Sequence, residues 1–124
     1  MPNRSLNTAP VTFLDSRAVV DRLTAAARQL CAQHSNVVAV VLFGSLARGT
    51  ATPGSDADLL VVLRADARRM LDRIPEFTQP FESPGLSVQV LPWTEAELQR
   101  RRERADPFAR EVLETGVLLA GEVG

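Results

Sequence analysis

Apolar residues recur at Val19, Val20, Leu23, Ala26, Ala27, Leu30 and Cys31, the spacing of one helical stripe, and predict a helix over 16–33 with Asp15 as its N-cap. The next segment, VVAVVLF at 37–43, is β-branched and apolar on both faces, which suits a strand covered on both sides of a sheet. Gly44 and Ser45 end it. After a linker rich in Gly, Thr and Pro, DADLLVVL at 56–63 reads as a second strand and Ala65 to about Glu76 as a second helix, ended near Pro80. QPFESPG is a loop, and LSVQVL at 86–91 alternates as a third strand. Thr94 with Glu97 forms a capping box that opens a helix through Arg104; Asp106-Pro107 opens another that stops at Gly116, before a final apolar VLLAG. Residues 1–14 read as a loose lead-in and 15–124 as one domain. The fold class expected is α/β (α+β), a small mixed sheet with helices packed over it.

Composition narrows the classes of function. The 124 residues suit a single domain, and a formal charge of −1 supplies no field to draw in nucleic acid or an anionic membrane. One cysteine, Cys31, reads as a small buried residue and fits a reducing compartment. The N-terminus lacks an apolar signal core and the longest apolar run, Val37 to Phe43, is far short of the ~20 residues of a membrane span, so a cytoplasmic protein is expected. All 14 basic residues are Arg, and Tyr is absent as well as Lys. Chemistry that needs a lysine is thereby excluded. His34 is expected to complement the first helix's C-terminal dipole, Arg100, Arg101, Arg102 and Arg104 to form a solvated face, and Trp93 to lie in the core rather than stack on a base.

The segment that carries chemistry is Gly44-Ser45-Leu46-Ala47-Arg48-Gly49, with ten residues between Ser45 and Asp56-Ala57-Asp58, and then an apolar run. Side chains two apart on a strand share a face, so the two carboxylates project together and repel unless a cation lies between them. Mg²⁺ (or Mn²⁺) suits hard oxygen ligands that leave room for substrate phosphates. A strand that ends in Gly and passes into a short helix presents free amides to an anion; Ser45 adds a hydroxyl donor and Arg48 a bidentate clamp for a terminal phosphate.

GSLARGTATPGSDADLLVVL resembles the signature of the minimal nucleotidyltransferases of the DNA polymerase β superfamily: Gly-Ser, a short linker, then Asp-x-Asp on a strand. The tail from Val88 to Gly121 resembles the same proteins, so the likeness covers nearly everything after residue 14. It implies the polymerase β-like nucleotidyltransferase fold, an NTP held at Gly44, Ser45 and Arg48, metals on the catalytic pair Asp56 and Asp58, and attack of an acceptor hydroxyl on the α-phosphate. ATP is the first candidate for the NTP, although no residue selects adenine over guanine. The family pattern also has a third carboxylate on the next strand, and here that position is Gln89, which has a carbonyl oxygen but no charge. Three readings stay open: Gln89 serves as a neutral ligand, Glu82 or Glu95 substitutes, or the site binds nucleotide without chemistry. At this length no second domain holds an acceptor, so the acceptor is expected on another polypeptide or a second copy in a homo-oligomer. Stand-alone proteins of this kind are commonly the antitoxin half of a pair with a small helical HEPN-type toxin, and the absence of Tyr fits a target in trans. The competing reading is a catalytically degenerate module that acts by binding its partner.

Overall fold

The structure, a computed structural model, describes residues 16–52 and 54–123; Asp15, expected as an N-cap, and the lead-in 1–14 lie outside them. Helix α1 (Ser16–Gln33) is followed by β1 (Val37–Phe43), the single turn α2 (Ser45–Arg48) and β2 (Ala57–Leu63). Then come α3 (Met70–Thr78) with a 3₁₀ turn at Gln79–Phe81, β3 (Val88–Thr94), α4 (Glu95–Glu103), α5 (Pro107–Thr115) and β4 (Val117–Gly121). The strands form one mixed sheet in the order β3-β2-β1-β4, with β1 antiparallel to β2 and to β4, and β2 parallel to β3. No described helix is long and apolar enough to cross a membrane.

The apolar run of β2 is explained by its place at the centre of this sheet. Leu59, Val61 and Leu63 face a core built with Val19, Leu23, Ala27 and Leu30 of α1 and with Phe77 and Phe81. Leu60 and Val62 face a second core with Trp93, Leu98, Ala109 and Val112, under α4 and α5. Each fully buried leucine of this kind contributes ~1.5–3 kcal/mol by leaving water. In β1 a register shift between Val37 and Ala39 carries both odd-numbered residues to opposite cores, which is why VVAVVLF shows no alternation.

Two expected boundaries move. The second helix begins at Met70, not Ala65. Ala65 is fastened in the loop by two hydrogen bonds to the Asn36 side chain, and the carbonyls of Asp66 and Arg68 accept from the Arg73 guanidinium, so they are not offered to a helix. The third strand runs through Thr94, past the expected end at Leu91. Pro92 is tolerated there because β3 is an edge strand, paired only with β2. Trp93 therefore belongs to the strand and is 4% exposed, in the core as expected.

Arg73 ties these corrected segments together. It is 2% exposed, donates to the carbonyls of Asp66, Arg68 and Pro92, and grips Glu97 with both terminal nitrogens at 2.7 and 3.0 Å. Glu97 at the same time closes the predicted capping box with Thr94, its carboxylate accepting the Thr94 amide at 2.9 Å. The hydrogen bonds from Arg73 hold the Glu97 carboxyl below the usual carboxylate range. His34 does not end α1 alone: its Nε2 lies 3.0 Å from Glu76 and its ring packs on Phe77, joining α1 to α3.

Arg73→Met is expected to destabilise the fold by about 3 kcal/mol, since it strips one half of a largely buried pair and orphans several carbonyls. Because the folded Glu97 pKa is depressed, its stabilisation is present above the ordinary carboxylate range and is lost as pH falls through the folded value. Urea midpoints should therefore differ most near neutrality, with the gap between variant and wild type narrowing towards about pH 3.

Candidate active site

The antiparallel register places Phe43, the last residue of β1, opposite Asp58, and the parallel register places Asp58 beside Gln89. The turn after β1 and the starts of β2 and β3 thus meet at one end of the sheet. Asp58 is two residues before Leu60, so it points to the face covered by α4 and α5, as do Asp56 and Gln89 on the same alternation. Gln89 is exposed, and its Nε2 donates to Asp56 Oδ2 at 3.3 Å. The residue expected at the third-carboxylate position is therefore in place beside the pair.

Gly44 is required to be glycine by its own backbone and by the facing strand. Its φ of 77° and ψ of −156° are open to essentially no other residue, and a Cβ built there would overlap Asp58 Oδ2. The missing side chain makes room for the carboxylate of the facing strand. In α2 the first intrahelical bond runs from the Arg48 amide to the Gly44 carbonyl, leaving the preceding amides without partners in the helix. Ser45 is half-buried at that end. Arg48 is paired here, its Nη1 3.4 Å from Glu111 on α5, an exposed pair of little energetic weight, and its charge is near enough to act on Asp58.

Burial pushes the Asp58 carboxyl above the usual range, the charge of Asp56 adds to the rise, and Arg48 opposes it. Two like charges at the mouth of an apolar strand favour either a proton or a cation between them. The donor set fits a divalent metal with hard-oxygen preference, because both side chains supply carboxylate oxygen on one face. Among the described residues, no group of three or more His, Cys, Asp or Glu side chains is placed to hold a metal. Glu95 is excluded as a substitute: it follows Thr94, which pairs with Leu63 five strand residues, roughly 16 Å, from the level of Asp58. Glu82 lies on the loop that feeds β3 at the correct end, where it is exposed.

Residues 23–117 match the family model described as the nucleotidyltransferase domain. The chain belongs to that family. The matched region takes in every residue of the site described above, and members of the family generally use an NTP and a divalent metal. A curated relative from Methanocaldococcus jannaschii, named "Putative protein adenylyltransferase MJ1305", is 45% identical over 47 residues, 36% of this chain and 32% of the relative. The match thus spans about a third of that relative's length. In fold, this nucleotidyltransferase domain is similar to a Sulfolobus solfataricus protein described in the same provisional way as a nucleotidyltransferase: TM-score 0.56, 21% identity, 83% of this chain and 80% of that one. It is also similar to the toxin–antitoxin structure MntA-HpeT, solved as a mutant, at TM-score 0.50 and 22% identity over 89% of this chain and 75% of that one. These likenesses establish the mixed α/β fold expected from the sequence.

Residue-level reading from sequence missed Phe108 and Glu111, which the packing of α5 brings to the rim of the site. Their one sequence signal is the Asp106-Pro107 helix start, which fixes the helix but not what lies beneath it.

Two substitutions test this geometry. Since the folded Asp58 pKa is raised, its charged form costs stability, and the fold loses stability as pH rises through that value. Asp58→Asn is therefore expected to raise the melting temperature of the ligand-free protein at neutral pH while removing its response to Mg²⁺, as scanning calorimetry would show. Gly44→Ala is expected to cost about 1–3 kcal/mol through backbone strain and to displace Asp58, read by denaturation and by the Asp58 carboxyl resonance.

Proposed function

We propose that this domain transfers a nucleoside monophosphate from an NTP to a hydroxyl on a partner protein, releasing pyrophosphate. The observation that carries the reading is the convergence of the Gly44-Ser45 turn, Asp56, Asp58 and Gln89 at one sheet end, by strand register alone. In this reading the amides at the start of α2 and the Ser45 hydroxyl hold phosphate oxygens, and Asp56 and Asp58 hold Mg²⁺ or Mn²⁺. The metal, when bound, neutralises phosphate charge as it builds on the leaving group. Arg48 exchanges Glu111 for the terminal phosphate. The acceptor oxygen bonds to the α-phosphorus as the bond to the pyrophosphate oxygen breaks, and the hydroxyl proton passes to the carboxylate pair, since the Gln89 amide cannot accept it.

The name of the Methanocaldococcus relative supports AMP and a protein acceptor, and hence ATP as the NTP. The toxin–antitoxin neighbour, together with the family resemblance, supports a small helical HEPN-type partner in the cytoplasm. With no Tyr in the chain, a tyrosine acceptor has to be on another molecule.

One observation favours a second reading, a nucleotide-binding module that silences its partner by association. Gln89 turns a donor, not an anion, towards Asp56, and no third carboxylate completes the set among the described residues. Label transfer from α-³²P NTPs to the neighbouring gene's product separates the two. The transferase reading expects label with wild type, a loss of roughly a hundredfold or more in Asp58→Asn, and faster transfer in Gln89→Asp. Label in Gln89→Asp alone would establish the binding reading instead.

A further inference from the structure

We infer that Phe108 is the stacking platform for the base of the bound nucleotide, an inference that rests on the nucleotide site proposed above. Its ring lies 5.6 Å from that of Phe43 and 5.9 Å from that of Trp93, both edge-on. Phe43 is on β1 and level with Asp58; Trp93 is on β3 and level with Val62. A ring that touches both crosses over β2 between them, one pleat step inward from Asp58, on the face to which Asp58 and Gln89 point. Phe108 is thus the wall against which the carboxylate end of the site closes.

It is also exposed in a way that the core does not explain. Trp93 is buried and Phe43 partly buried, whereas Phe108 keeps 43% of its surface open and is the only aromatic residue among the exposed large hydrophobics described, with Leu71, Val117 and Leu118. Its position is fixed from two directions: Asp106 caps α5 by accepting the Phe108 amide, and Arg101 holds Asp106 at 2.9 Å while lying 4.2 Å over the Trp93 ring. A rigid, half-open aromatic ring beside a site for nucleotide phosphates suits the flat face of a base.

Around this ring the Asp58-bearing face offers Gln89 and the apolar Leu91, and stacking does not distinguish one base from another, so the platform takes adenine and guanine alike. Trp93, which the sequence already places in the core, is excluded by its burial under Arg101.

The experiment is calorimetric titration of the full chain, with Mg²⁺, by ATP, GTP and inorganic tripolyphosphate. Wild type would be compared with Phe108→Leu, which keeps an apolar side chain over the core, and with Phe108→Trp, which keeps an aromatic face. The expected result is roughly tenfold weaker ATP and GTP binding in Phe108→Leu, unchanged tripolyphosphate binding, and retention of nucleotide affinity in Phe108→Trp. Equal affinity of wild type for ATP and tripolyphosphate, an unchanged ATP affinity in Phe108→Leu, or an equal loss for all three ligands would overturn the stacking role and leave the phosphate site standing. Failure of wild type to bind any of the three would overturn the nucleotide site itself, and this inference with it.

Discussion

A carboxylate carried on a strand that is otherwise buried on both faces sets the terms for much of this molecule. Asp58 is the second residue of β2, the central strand flanked by β1 and β3, and everything after it to Leu63 is covered from both sides. Its charge is tolerated only because it stands at the strand's mouth, half-open to solvent, where Gly44 withdraws a side chain to make room for it. The same desolvation that raises its pKa makes it a strong point of attraction for a cation. The charge that would hold a cation is the one that burial disfavours.

The other end of the sheet is arranged in a contrasting way. There a buried charge, Arg73, has all its donors engaged, to Glu97 and to three carbonyls, and Asp66, held down to about 2 chiefly by its hydrogen bonds from Arg68, lies in the same network. Fully satisfied, such a cluster fixes how α3, the end of β3 and α4 meet. The incompletely satisfied pair Asp56 and Asp58 is at the end where a ligand would complete it. Polar groups are thus closed off where the chain needs a joint and left open where it needs a site.

Much of the site was legible from local pattern. Gly44-Ser45 at a strand end and two carboxylates at strand spacing are statements about neighbouring residues, and the alternation of β3 puts Gln89 on the right face. The misread features are those decided by remote partners. Ala65 to Arg69 have the composition of a first helical turn, but Asn36 and Arg73 claim their backbone groups. That Glu111 lies beside Arg48 follows from the packing of α5, which no pattern near Ser45 reports.

The sequence by itself determined most of the helix and strand segments, that the strand at 37–43 is covered on both faces, and where the Gly44-Ser45 turn and the Asp56–Asp58 pair fall. Periodicity, capping residues and glycine act over a few residues and leave their mark in order along the chain. Tertiary structure alone decided strand order, and with it that Gln89 faces Asp56 across β2 and β3, that Glu95 is at the far end of the sheet, and that Phe108 packs against Phe43 and Trp93. These are distances between residues far apart in sequence, and no local pattern encodes them; they follow from how two apolar faces of a sheet are covered at once.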